Sequence, residues 1–205
     1  PVLDGPIIQD ASAQALASGV HLADAFAAAR AITDAGAAAV VMSYWNPILR
    51  FGVDAFAQGL AQAGGSGVIT PDLIPDEAAP WLAAADAHGL DPIFLVAPSS
   101  TDERLAMTTA ACRGFVYVTS LMGVTGTRTS VSSHAQTLVA RCRPVTDLPL
   151  CVGLGVSTPA QAAEVSGYAD GVIVGSALVR VLLGELPWEQ RLDALRALTR
   201  ELAQG

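Results

Sequence analysis

Six times between Ala37 and Val181 a short apolar run gives way to a turn and then to a segment of helical composition, a repeat that points to parallel strands joined by helical crossovers. The runs are residues 37–42, 67–70, 92–96, 115–118, 150–156 and 171–174. They are nearly continuous in Val, Ile, Leu, Phe and Ala, as strands buried on both faces are. Helices are expected over 53–63, 76–88, 101–111, 132–143, after Ser157-Thr158-Pro159, and over 177–181, with two more at 9–18 and 21–35 ahead of the first run.

The resulting fold class is α/β. A closed (β/α)8 TIM barrel has eight such units in about 250 residues. Six units in 205 residues therefore leave the first strand-helix-strand unaccounted for. The expectation is a single barrel domain over 1–205, incomplete at its N-terminus, with two strands ahead of Pro1; an opening Pro1-Val2-Leu3-Asp4-Gly5-Pro6 without an initiator methionine agrees with a cut start. The competing open, doubly wound sheet uses a G-x-G-x-x-G first turn, which this sequence lacks.

Residues 148–181 repeat one pattern: an apolar run, a glycine, and directly a helix. Both helices begin at the carboxyl end of a strand, so their N–H groups and positive dipole ends point toward an anion between Gly155 and Gly175-Ser176. Phosphate is the expected ligand, because barrels commonly hold phosphate after their last two strands. Tight strand-to-helix turns alone would also account for these glycines.

Composition excludes several functions. Net charge is −8 and the 11 basic residues are all arginine, scattered along the chain, which argues against a nucleic-acid face. No apolar run reaches the roughly 18 residues of a membrane span, and a cytoplasmic protein is expected. Cys112, Cys142 and Cys151 have neither disulfide nor zinc spacing, and no metal site is expected.

In a barrel the chemistry lies at strand ends and in the loops after them. That rule selects Asp4, the 44–47 loop, Asp72, Tyr117, the loop from 119 to 128, Gly155 and Gly175-Ser176. Asp4 is a candidate general base or an acceptor for a substrate N–H, and equally a turn former before Gly5-Pro6. Asp72 is a turn or N-cap candidate. The segment Met122-Gly123-Val124-Thr125-Gly126-Thr127-Arg128 belongs to a loop longer than the roughly 2 to 6 residues usual between strand and helix. Such a loop can close over a ligand, or simply cover the surface.

Taken together, these stretches resemble the α subunit of tryptophan synthase. The resemblance rests on Pro1-Val2-Leu3-Asp4-Gly5-Pro6-Ile7-Ile8-Gln9, Tyr44-Trp45-Asn46-Pro47 with Gly52-Val53-Asp54-Ala55-Phe56, Asp72-Leu73-Ile74-Pro75-Asp76-Glu77, Gly123-Val124-Thr125-Gly126, Gly153-Leu154-Gly155-Val156 and Asp170-Gly171-Val172-Ile173-Val174-Gly175-Ser176-Ala177, in that order. It implies a (β/α)8 barrel that cleaves indole-3-glycerol phosphate to indole and glyceraldehyde 3-phosphate without a cofactor of its own. Indole then passes to a β subunit, the expected holder of pyridoxal phosphate, in an α2β2 assembly.

By the same resemblance Asp4 is catalytic at the indole nitrogen, Tyr117 lines the cavity near the glycerol, and Thr125 orients catalytic carboxylates. Gly126, Gly155, Gly175 and Ser176 hold phosphate, while Tyr44, Asn46, Pro47 and Asp72 face the β subunit. Charge reversal at Asp72 is expected to weaken partner binding more than phosphate binding. The family's glutamate acid/base is expected upstream of Asp4, and it is not in this sequence. Leu121-Met122 stand where some relatives carry a polar or basic residue. Two other readings are a different phosphate-binding barrel of aromatic biosynthesis, against which the absence of lysine counts, and a non-catalytic barrel that only binds and activates a β subunit.

Overall fold

The computed structural model describes residues 5–119, 129–153 and 155–204, with backbone only for 129–133. In chain order the elements are α1 (Pro6–Ala17), α2 (Asp24–Asp34), β1 (Val40–Met42), α3 (Trp45–Phe51), α4 (Val53–Gln62), β2 (Gly67–Ile69), α5 (Ala79–His88), β3 (Asp91–Ile93), β4 (Leu95–Val96), α6 (Asp102–Ala111), β5 (Val116–Thr119), α7 (Thr129–Cys142), β6 (Leu150–Gly153), α8 (Pro159–Ser166), β7 (Gly171–Val172), α9 (Ser176–Leu182) and α10 (Trp188–Gln204). Short 3-10 turns occupy Pro75–Glu77 and Arg143–Val145. Two compact units result: His21–Tyr117 with Ala140–Leu150, and Pro1–Val20 with Val118–Val139 and Cys151–Gly205.

In the unit built on His21–Tyr117, β1, β2 and β3 run parallel, with Val40 opposite Gly67, Val68 opposite Pro92 and Ile69 opposite Ile93. The expected strand 92–96 is interrupted at Phe94. Its carbonyl accepts the Tyr117 N–H at 3.2 Å, but its own N–H donates to the Cys112 sulfur at 3.4 Å and leaves the ladder. The expected buried strand 37–42 is shorter and more exposed: β1 starts at Val40, and Val40 and Met42 are 37% and 47% accessible. Its position at the edge of the three-stranded sheet explains this, since β2 covers one side only.

The helix expected from residue 76 begins instead at Ala79, after the 3-10 turn. A helix started at 76 would need an N–H from residue 80 to close its first turn, and Pro80 has none. Ile48, Phe56, Leu60, Trp81, Phe94 and Leu105 are fully buried and form the apolar centre of this unit. Where α2 meets α4, the rings of Phe26, Phe51 and Phe56 pack with centroids 5.5 to 6.1 Å apart. Gly59 admits the Phe26 ring: a Cβ at that position would lie 2.7 Å from a ring carbon.

In the other unit β6 and β7 are parallel neighbours, with Cys151 opposite Gly171 and Val152 opposite Val172. The helix α10 lies beyond the last segment read as helical from the sequence, and it packs on α8 and α9. Arg191 secures it from within, donating to the Leu182 carbonyl at 2.6 Å and stacking 5.2 Å from the Trp188 ring centroid. Among the described residues no helix is long and apolar enough to cross a membrane, and no cluster of His, Cys, Asp and Glu could hold a metal.

Candidate functional site

Gly155 and Gly175 each stand three residues beyond the paired Val152 and Val172, in the turns that follow β6 and β7. Gly155 turns the chain with φ +87°, a backbone conformation that L side chains rarely adopt. Nothing lies within 4 Å of where a Gly175 Cβ would be, so this turn opens onto free space.

The two helices that follow are not equivalent. At α8, Thr158 and Gln161 form a capping box: Gln161 N–H donates to Thr158 Oγ1 at 3.3 Å, while Gln161 Oε1 accepts the N–H groups of Ser157 and Thr158 at 2.9 and 3.2 Å. In this first helix the Gln161 N–H, one of the donors expected to face an anion, is thus taken by the Thr158 side chain. By contrast, α9 starts at Ser176 with Gly175 as N-cap and no side-chain cap. The N–H groups of Leu178 and Val179 donate to the Gly175 carbonyl at 3.0 and 3.2 Å, and no side chain caps the N–H groups ahead of them.

On the other unit, the residues expected to face a partner prove partly helical. The 44–47 loop of the sequence reading is instead an extended Tyr44 followed by the first turn of α3, with Pro47 at the third helical position, where a missing N–H costs nothing. The acceptor for its first N–H comes from a distant residue, because Asp72 Oδ1 accepts the Trp45 N–H at 2.8 Å. Asp72 therefore serves α3 as a remote acceptor, beside its N-cap residue Tyr44, and is not the N-cap of the 3-10 turn that follows it in sequence. Asn46, Pro47 and Asp72 are exposed and Tyr44 is partly covered.

Tyr117, in β5, is 5% accessible. Asp4, Thr125 and Gly126 lie outside the described residues. The structure brings Asp72 to the Tyr44–Asn46 stretch through the Trp45 N–H, while Gly155 and Gly175-Ser176 follow the neighbouring strands β6 and β7; each group lies within one unit.

The thiols offer no nucleophile. Burial pushes Cys112 up to about 11, only partly offset by the Phe94 N–H, and burial likewise raises Cys142 and Cys151. Cys151 sits in β6, ahead of its carboxyl end.

Sequence reasoning missed the ties that shape the second group. Arg104 NH1 bridges both Asp76 carboxylate oxygens at 3.1 and 2.9 Å. Arg141 holds Asp102 Oδ1 at 2.7 Å and the Ser100 carbonyl at 2.6 Å. A signal for the first was available, since Asp102-Glu103-Arg104 follows a capping Thr101 and sets the arginine in the first turn of α6.

The family description of the tryptophan synthase alpha chain matches residues 1–205. The tryptophan synthase alpha chain of Mycobacteroides abscessus is 62% identical over 205 residues, spanning 100% of this chain and 76% of the relative. That of Thermobifida fusca is 60% identical over 208 residues, covering 100% and 77%. Among solved structures, tryptophan synthase from M. tuberculosis superposes with a TM-score of 0.88 at 57% identity over 100% of this chain and 75% of that one. A mutant tryptophan synthase alpha-subunit from Pyrococcus furiosus gives 0.86 at 32% identity, covering 100% and 82%. The neighbours are TIM barrels, and the parallel α/β architecture described above is of that class. From its first residue to its last, the chain belongs to the tryptophan synthase alpha chain family.

Proposed function

We propose that the phosphate of indole-3-glycerol phosphate is received at the start of α9, by the N–H groups of Gly175 and Ser176 together with Gly155, and by Gly126 from the preceding loop. The observation that carries this assignment is the contrast between the two helices: α8 starts with a side-chain capping box, whereas α9 begins without a side-chain cap beside an open glycine. The partial positive charge of such a terminus favours a dianion.

The reaction follows from the family: a carbon–carbon lyase cleaves indole-3-glycerol phosphate to indole and glyceraldehyde 3-phosphate. In that reaction C3 of the indole takes up a proton, the glycerol hydroxyl gives one up, and the bond between ring and side chain breaks. Asp4 is assigned to the indole N–H, where its charge stabilises the ring as it becomes cationic. Tyr117 is assigned to the glycerol and Thr125 to the orientation of catalytic carboxylates. Identity of 62% over the whole chain favours this reading over another phosphate barrel or a non-catalytic one. Release of indole from indole-3-glycerol phosphate by the purified full-length gene product tests it; no release above the uncatalysed background rejects it.

The same reading assigns a β subunit as partner, in an α2β2 assembly within the cytoplasm, with pyridoxal phosphate on the β subunit only. Tyr44, Asn46, Pro47 and Asp72 are its proposed contact residues. Because Asp72 also accepts the Trp45 N–H, Asp72→Lys removes a charge and an acceptor together. Asp72→Asn keeps an acceptor for Trp45 and isolates the charge.

Ile74 gives a cleaner probe of the same face. It is 44% accessible between buried Leu73 and Pro75, so a substitution there leaves the core untouched. Ile74→Arg is expected to weaken β-subunit binding about 30-fold, the scale of a central interface residue. Its thermal midpoint should match wild type. A β-subunit titration that cannot separate the two proteins removes this loop from the interface.

A further inference from the structure

Resting on the reading that this face meets the β subunit, we propose that Arg104 is a positioning residue, which fixes the loop of residues 71–77 in its partner-binding shape through Asp76. The loop is anchored at both ends within one unit. At its start, Asp72 Oδ1 accepts the Trp45 N–H at 2.8 Å, and Leu73 is 4% accessible. At its end, Pro75 opens the 3-10 turn, Ala78 N–H donates to the Pro75 carbonyl at 3.2 Å, and Asp76 receives Arg104 through both carboxylate oxygens. Between the anchors only Ile74 carries a large apolar side chain into solvent.

Arg104 is itself held. Its N–H donates to Thr101 Oγ1 at 3.3 Å, and the segment leading into α6 is gripped by Arg141, which donates to the carbonyls of Pro98 and Ser100 and to Asp102. Three successive links therefore run from α7 to the 98–102 segment, from α6 to the 71–77 loop, and from that loop to α3. Exposed ion pairs of this kind contribute little to folding stability. What they remove is loop freedom that would otherwise be lost when a partner docks. The two anchors hold Ile74 outward over a buried Leu73 before any partner arrives.

Because a single guanidinium nitrogen bridges both Asp76 oxygens, a lysine ammonium can occupy the same place. That separates positioning from mere packing of the arginine stem. Titrating the cognate β subunit into full-length wild type, Arg104→Ala, Arg104→Lys, Asp76→Asn and the Asp76→Asn/Arg104→Ala double variant tests the proposal.

Arg104→Ala and Asp76→Asn should each raise the dissociation constant about tenfold, with unchanged thermal midpoints. The double variant should be no weaker than either single one, and Arg104→Lys should recover most of the affinity. Wild-type affinity in Arg104→Ala overturns the proposal, and so does a loss that Arg104→Lys fails to recover while the thermal midpoint falls. If Ile74→Arg also binds like wild type, the error lies instead in the assignment of the face.

Discussion

Ser176→Asp is expected to weaken phosphate-ligand binding about 100-fold while leaving the fold as stable as before. The two effects come from one cause. Ser176 is the first residue of α9, whose N-terminus carries partial positive charge and no side-chain cap. A carboxylate is favoured at that position of a helix, by a few tenths to about 1 kcal/mol. The same carboxylate then occupies the electrostatic role assigned to the ligand. Like charges about 4 Å apart repel by roughly 4 kcal/mol at an effective dielectric constant near 20, and partial solvation brings the net effect to about 3 kcal/mol. Calorimetric titration of glycerol 3-phosphate into both proteins, with thermal unfolding alongside, measures the two consequences separately. Unchanged affinity would show that the anion is held elsewhere, whatever the stability does.

Asp4→Asn is expected to lower turnover of indole-3-glycerol phosphate by roughly 100-fold or more, about 3 kcal/mol of transition-state stabilisation. This rests on the role that the family resemblance assigns to Asp4. Asparagine keeps an oxygen to accept the indole N–H, so substrate affinity should change little. What it lacks is the negative charge, which matters most when protonation at C3 makes the ring cationic. Steady-state kinetics on the full-length gene product should therefore show a fall in kcat with KM nearly constant. A kcat within about threefold of wild type would leave Asp4 as the former of the Gly5-Pro6 turn and nothing more.

Local signals carry much of the architecture. Thr158 before Pro159, with Gln161 three residues on, reads as a helix start, and the capping box is there. Gly155 and Gly175 read as strand-to-helix turns, and Gly155 does adopt positive φ. Other features depend on contacts between segments far apart in sequence, which periodicity does not encode. Trp45-Asn46-Pro47 reads as a loop because its proline suggests one and the acceptor for the Trp45 N–H is 27 positions away, at Asp72. The break at Phe94 is set by a sulfur 18 positions downstream, at Cys112. The asymmetry between α8 and α9 was partly within reach, since only the first of the two glycine turns is followed by a threonine and a glutamine at capping spacing.

The contact between α2 and α4 makes two positions behave as one in any history of substitution. A methyl group at residue 59 would overlap the Phe26 ring at 2.7 Å, and that ring is already wedged against Phe51 and Phe56. A larger residue at 59 becomes tolerable once residue 26 is smaller, whereas a smaller residue at 26 alone leaves a hole that the two remaining rings do not fill. Either single step is uphill, so the route from one packing to another passes through a less stable protein. Drift at this crossing is held back by the order of the changes more than by their final cost.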